Sequence, residues 1–419
     1  MGEDKFDVII VGGGLAGSTA AYILAQEGME VLVIERGNYS GSKNMTGGRL
    51  YGHSLEKIIP EFAKEAPVER RISKERFSLL TKDSAVTLEY AGAKTGTPGC
   101  ESYSVLRAGF DRWLAEKAEE EGAMYIYGIR VDDLIVRDGR VCGVIAGDEE
   151  MESDLVILAD GVNSLLAQKI GMKKELLPSQ SAVGAKEIIQ LDAATIEQRF
   201  QLNPGEGLAW IFQGDCTDGR IGDGFLYTNK DTVSLGVLTT IEDIDGKETT
   251  IPQLVDRLKN HPAVKPLIEG GKLVEYSAHL VPEGGYSMVP TLYRDGVLLA
   301  GDAASLVINL GFMIRGMDLA IESGRLAAQT AAAAKEKGDF SADTLASYQQ
   351  ALEDSFVMKD LKFYDGYEKV MEDRRLYQDC PAKADRLFAD LFVVDGSGAK
   401  DISKKIVPGL IEGLENYNS

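Results

Sequence analysis

Gly12, Gly14 and Gly17 stand in the spacing G-x-G-x-x-G, and Glu35 follows eighteen residues after the last of them. This set suits the seating of a dinucleotide. Gly12 permits a tight turn, Gly14 lets backbone approach a pyrophosphate, Gly17 lets a helix lie close on a strand, and Glu35 is placed to accept hydrogen bonds from a ribose diol. The elements that must position them are legible on either side. Val8 to Val11 reads as a buried parallel strand, Leu15 to about Gln26 as an apolar-striped helix, and Val31 to Glu35 as a second strand. They predict a βαβ unit whose helix N-terminus faces the anion; by itself it leaves FAD and NAD open.

Two later stretches repeat the strand-to-turn pattern. Leu155 to Leu158 runs into Asp160-Gly161 and Ser164, which alone could be an ordinary turn with an N-cap. Val297 to Ala300 runs into Gly301-Asp302, and Gly311, Gly316 and Met317 then lead into a helix predicted over 318–333. In the loop Gly37 to Arg49, Gly47 and Gly48 would let backbone lie against a flat ring system; a surface loop is the alternative. Arg107, ahead of a helical pattern (Phe110, Trp113, Leu114, Ala118), either reaches a diphosphate or ribose or is an exposed charge. Arg36 and Val131 complete the candidate contacts. NAD needs only the first stretch, whereas FAD must be held at adenosine, pyrophosphate, ribityl chain and ring, so three stretches favour FAD.

The bulk properties bound the rest. At 419 residues the chain exceeds what one core usually serves, and intertwined domains are expected. With 45 Lys and Arg against 66 Asp and Glu, the net charge of −21 argues against nucleic acid and against electrostatic adhesion to anionic lipid. Basic protein partners and hydrophobic membrane contact stay open. Met1 to Lys5 leads into the first strand without an apolar h-region, so no secretory signal is expected, and a reducing cytoplasm is. Cys100, Cys142, Cys216 and Cys380 form no C-x-x-C, which predicts unpaired, mostly buried thiols and neither a zinc site nor a self-contained iron–sulfur cluster. Val297 to Ile314 is nearly as apolar as a membrane span, but Gly301-Asp302 and Arg315 mark a buried ligand site instead. His53, His261 and His279 are expected to be structural.

Residues 180–290 read as an antiparallel sheet walling a substrate cavity, interrupted by a helix over Ile251 to Lys259, with Trp210, Phe212 and Phe225 as candidate lining residues. Beyond 341 the pattern is helical, with apolar positions at Leu345, Tyr348, Leu352 and Phe356, then Leu387, Phe388 and Leu391. A final stripe, Ile406, Leu410 and Leu414 with Val407 and Ile411, is expected to pack on the core rather than on a membrane or partner.

The order of G-x-G-x-x-G, Asp-Gly and Gly-Asp resembles the glutathione-reductase-type flavoproteins of the hydroxylase-like branch. Within it, Gly37 to Gly48, the run His261-Pro-Ala-Val-Lys-Pro-Leu-Ile-Glu-Gly-Gly-Lys272 and Glu283-Gly-Gly-Tyr-Ser-Met-Val-Pro290 are similar to the electron-transfer-flavoprotein:quinone oxidoreductase family, from about residue 5 to 335. The resemblance implies an α/β, glutathione-reductase-type FAD-binding domain with a parallel, Rossmann-like sheet (1–75, 105–175 and 290–335). It also implies an interleaved antiparallel quinone-binding domain (76–104 and 176–289) and a C-terminal helical region (336–419). Gly12, Gly14 and Gly17 would meet the FAD pyrophosphate and Glu35 the adenosine ribose, with Arg107 and Asp160 nearby, Asp302 at the ribityl chain, and Gly311, Gly316 and Met317 beside the isoalloxazine. The mitochondrial-type members carry a C-terminal iron–sulfur domain with clustered cysteines, whereas here only Cys380 lies beyond residue 216.

The chain is thus similar to the short, FixC-like (EtfC-like) subunits, whose cluster is supplied by a separate ferredoxin-like subunit and which work with a two-subunit electron-transfer flavoprotein. The implied function is FAD-dependent electron transfer to membrane quinone at the cytoplasmic side of the membrane, peripherally and without a transmembrane span, in an NADH-dependent electron-bifurcating complex. The alternatives are a geranylgeranyl-reductase-like enzyme acting on isoprenoid lipids, an aromatic hydroxylase, and an electron-relay subunit without a substrate site.

Overall fold

The computed structural model describes residues 5–44, 48–244, 246–398, 400–406 and 408. The glycine-motif strand β1 (Phe6–Val11) lies inside an eight-stranded sheet whose main path runs β16–β17–β10–β1–β2–β7. The other strands on that path are β2 (Val31–Glu35), β7 (Met124–Tyr127), β10 (Glu149–Leu158), β16 (Tyr293–Arg294) and β17 (Val297–Leu299); β1 pairs with β2 and β10, and every pair on the path except β16–β17 is parallel. Strands β8 (Asp133–Arg137) and β9 (Arg140–Ala146) extend β10 as an antiparallel meander. Val8, Ile9, Ile10 and Leu155 to Leu158 are wholly buried, as continuous apolar runs are in a parallel sheet covered on both faces.

Helix Leu15–Gln26 packs against helix Met317–Lys337. Their crossing is close enough that a Cβ on Gly324 would stand 2.2 Å from the Ala16 carbonyl oxygen. The carboxyl ends of β1, β10 and β17 therefore lead to the three motif turns on one edge of the sheet, as open α/β sheets place their ligand crevices.

The second sheet has nine strands in the order β15–β11–β14–β13–β12–β4–β6–β3, with β5 paired to β4. They are β3 (Gly48–Tyr51), β4 (Val68–Leu80), β5 (Ala85–Ala91), β6 (Ser102–Val105), β11 (Ser181–Gln190), β12 (Glu206–Gly214), β13 (Gly224–Thr228), β14 (Thr232–Thr240) and β15 (Lys272–Pro282). All pairs are antiparallel except β4 with β12. A short hairpin, β18 (Ile308–Asn309) with β19 (Ile314–Arg315), hangs between the sheets.

One expected boundary, at residue 75, falls inside the single strand β4, and Gly48–Tyr51 also pairs into the second sheet. The charged run Glu69-Arg-Arg71 conceals the start of β4. Arg70 is buried because it donates to the Asn229, Glu206 and Lys230 carbonyl oxygens and pairs with Glu197 at 2.9 Å.

Helix Ala342–Asp354 seals the first sheet through wholly buried Leu345, Tyr348 and Leu352, and the Tyr348 hydroxyl donates to the Leu299 carbonyl at 2.8 Å. Phe388, by contrast, stands on the exposed side of helix Arg375–Phe392. Of the last apolar stripe only Ile406 lies among the described residues. The thiols differ from expectation: Cys216 alone is buried, while Cys100 is exposed and Cys142 and Cys380 are half-buried.

Candidate functional site

The glycine turn shows three distinct tolerances. A Cβ on Gly12, whose φ is +103°, would stand 2.4 Å from the Ala159 carbonyl oxygen, and one on Gly17 would stand 2.0 Å from the Gly12 carbonyl oxygen. On Gly14 it would meet nothing within 4 Å among the described residues. Gly12 and Gly17 are thus demanded by the packing of strand, turn and helix, whereas Gly14 borders open space. The space is a cavity of about 490 Å³ lined by Gly12, Gly14, Glu35, Arg36, Val131, Asp160 and Gly161. It shares Gly14, Asn44, Ala159, Gly161, His279 and Asp302 with a second cavity of about 270 Å³. Together they make one elongated channel from the end of β2 to the β18–β19 hairpin.

The second cavity receives Gly14, Gly48, Arg107, Gly161, Gly301, Asp302, Gly316 and Met317 from the sequence-derived set. Two described residues of that set stand elsewhere. Gly17 lies beneath the turn as a packing residue, and Gly311, with φ +76°, stands off the channel wall, where a Cβ would come 2.5 Å from Gln213 Nε2 and 2.7 Å from the Met371 methyl. Gly47 lies outside the described residues. Among the expected lining aromatics, Phe225 is in the wall and is joined by Tyr227, whereas Trp210 and Phe212 are buried on the opposite face of the second sheet beside Phe200 and Leu254. Period-two alternation along β12 and β13 separates them.

The carboxylates of the channel have unequal surroundings. Glu35 Oε2 accepts the Gly13 N–H at 2.9 Å and Oε1 the Gly37 N–H at 2.6 Å, so this carboxylate braces both loops while facing the cavity. Asp160 accepts the Ser164 hydroxyl at 2.7 Å, and burial pushes it up to about 6. Burial also raises Asp302, opposed by the nearby Arg107 and Lys173 cations. Arg107 itself is held by Asp111 through two bonds of 2.7 and 2.8 Å, which fixes the guanidinium beside Asp302.

Several contributors escaped the sequence reading. Lys173, 5% exposed, donates to the carbonyl oxygens of Val162 at 2.9 Å and Ala303 at 3.0 Å, tying the Asp160 turn to the Gly301 turn. Burial lowers it to about 8. His279 on β15 lines both cavities, and burial together with Arg107 and Arg36 lowers it, so it faces the channel as neutral imidazole at neutral pH. The other two histidines are braced structurally: His53 contacts Asp318 at 3.2 Å and His261 the Thr81 carbonyl at 2.9 Å. Asp223 and Glu283 also line the second cavity. No local motif marks Lys173 or Asp223, whereas Glu283 opens one of the runs that carry the family resemblance.

The open cradle at Gly14, the helix N-terminus behind it and polar groups spaced along the channel fit an extended FAD molecule. Comparison with known proteins gives the same class. A family model described as an FAD binding domain matches residues 5–354. The chain is 53% identical over 407 residues to Protein FixC of Escherichia coli (strain K12), spanning 97% of this chain and 95% of that one. It is 50% identical over 407 residues to YdiS of the same strain, described as a probable electron transfer flavoprotein-quinone oxidoreductase, with the same shares of 97% and 95%. A geranylgeranyl bacteriochlorophyll reductase-like protein from Thermoplasma acidophilum shares the fold at a TM-score of 0.73 and 24% identity, covering 98% of this chain and 99% of that one.

Fold and site define an FAD-dependent oxidoreductase. Within that class the chain belongs to the family of FixC and YdiS, the short branch of the electron-transfer-flavoprotein:quinone oxidoreductases.

Proposed function

We propose that the chain takes electrons from a two-subunit electron-transfer flavoprotein, together with a ferredoxin-like iron–sulfur subunit, and passes them to membrane quinone. The setting is an NADH-dependent electron-bifurcating complex at the cytoplasmic side of the membrane. One observation carries this reading: the FAD-side residues Gly301, Asp302 and Met317 share a cavity with an apolar wall of Phe225, Leu238 and Ile314, which suits a flat, apolar acceptor.

Bound there, FAD supplies the electron-accepting and electron-donating chemistry, and the protein supplies position and electrostatics. Gly12, Gly14 and Gly161 would bring backbone to the pyrophosphate, Glu35 would take the adenosine ribose, and Arg36 and Val131 would flank the adenosine end. Asp302 would hold the ribityl chain, while Gly48, Gly316 and Met317 would border the ring. Arg49 and Arg315 lie 4.3 and 5.7 Å from the Tyr51 ring centroid and line the same cavity. Arg49 is pinned by Glu75, and Arg315 by Asp318 and Asp360, so each cation is oriented before any acceptor arrives.

Peripheral attachment is supported by two features. No helix among the described residues is long and apolar enough to cross a membrane. Phe388 and Phe392 stack at 5.9 Å beside strongly exposed Val393 and Val394, an apolar patch suited to an interface.

Purification of the tagged chain from its own cells tests the proposal. A flavoprotein pair and a small cysteine-rich ferredoxin should co-purify, and the complex should oxidise NADH with a soluble quinone analogue. Reduction of a prenyl lipid without quinone turnover would overturn it.

A further inference from the structure

Asp223 and Glu283 occupy an unusual place for carboxyls. Asp223 precedes β13 and is fixed by paired backbone bonds with Leu238 of 3.1 and 2.8 Å; its side chain is 2% exposed. Its Oδ1 has no hydrogen-bond partner among the described residues, and Asp223 lines the cavity that holds Gly301, Asp302 and Met317. Gln213 reaches the carboxyl. Glu283 follows β15, accepts from Asn309 at 3.3 Å, and lines both this cavity and a side cavity of about 40 Å³. The side cavity is bordered by Tyr367, Glu368 and exposed Glu372. From outside inwards the carboxyls thus run Glu372, Glu283, Asp223.

Among the described residues no cation is paired with either inner carboxyl; Arg49 and Arg315, which line the same cavity, are engaged by Glu75, Asp318 and Asp360. Uncompensated buried carboxyls stay protonated. Burial pushes Glu283 up to about 7, with Glu372 adding to the rise, and pushes Asp223 up to about 8, with Glu283 adding to it. The remaining neighbours, Tyr227, Tyr377 and Cys216, are themselves driven upward by burial and stay neutral.

We propose that Glu283 and Asp223 form a proton path from the side cavity to the reacting end of the main cavity. The inference rests on the quinone reading above. Electrons from a protein donor arrive without protons, so each two-electron reduction at this end of the cavity draws its protons from water: at least one when oxidised flavin is reduced, and two when quinone becomes quinol. Asp223 gives its proton at the cavity wall, Glu283 re-protonates Asp223, and solvent at Glu372 re-protonates Glu283.

The test uses the FAD-loaded chain, mixed in a stopped-flow instrument with a viologen radical, which delivers an electron and no proton, in the presence of a pH-indicator dye. In the unmodified protein, proton uptake should keep pace with flavin bleaching. In Asp223→Asn and in Glu283→Gln it should lag by about a hundredfold, the scale of losing a positioned proton donor, with Asp223→Glu restoring the rate. Unchanged proton uptake in both variants would overturn the path, and should one variant not retain FAD the other decides. Reoxidation of the reduced, unmodified protein by a soluble quinone is measured separately. Failure there with a proton lag in the variants would sink the quinone reading and leave the path standing.

Discussion

Gly14 is the glycine of the turn whose missing side chain leaves space rather than relieving a clash. Gly14→Val should therefore leave the fold intact and place methyl groups where a pyrophosphate must lie. The purified variant is expected to be colourless, with less than about a tenth of the normal flavin absorbance, and a circular dichroism spectrum unchanged from the parent. Stoichiometric yellow flavin in Gly14→Val would refute the pyrophosphate assignment. Glu35 has a double duty at the same scale. Its oxygens hold the Gly13 and Gly37 amides, so the residue read as a ribose acceptor also preforms the turn that the ribose would approach.

Between elements, Lys173 is the joint. It fastens the turn after β10 to the turn after β17 by donating to carbonyl oxygens of both. Lys173→Met keeps the stem's length and leaves those buried acceptors without a donor, so it should destabilise the protein by about 1 to 3 kcal/mol and weaken FAD retention. The pH dependence has a definite sign. The folded-state value, lowered to about 8 from 10.5, means that the folded protein binds fewer protons than the unfolded chain between those values, so the lysine's contribution to stability rises with pH across that window. Chemical denaturation of parent and variant at pH values from about 7 to 10 should show the gap between them widening, and a constant or narrowing gap would count against the buried, neutralising lysine.

At the scale of the molecule, the strongly negative charge and the exposed apolar patch at Phe388, Phe392, Val393 and Val394 make the proposed membrane attachment one that would be hydrophobic rather than electrostatic. The double substitution Phe392→Ser and Val394→Ser should cut sedimentation with neutral phosphatidylcholine vesicles at least about tenfold, as expected for the loss of apolar contact area. It should leave FAD content unchanged. Binding that survives the substitutions but disappears in high salt would point instead to charge.

The turn chemistry and the cofactor class were legible in the sequence because they are local. A strand, a positive-φ glycine, a helix start and a carboxylate within thirty-odd residues need only short-range backbone geometry to work, and Asp160-Gly161 and Gly301-Asp302 follow apolar strands that announce themselves. The tertiary structure decided what depends on pairing. Strand alternation sends Phe225 and Tyr227 into the channel and Trp210 and Phe212 away from it, a choice made by which face of the second sheet meets the first. Arg70 is a buried strand residue only because Asn229, Glu206 and Lys230 arrive to accept from it. Lys173 and Asp223 carry no local signature of function, and Glu283 is marked only as part of a family run, not as a buried carboxyl. Their charge and protonation come from burial among distant segments, which spacing along the chain does not encode.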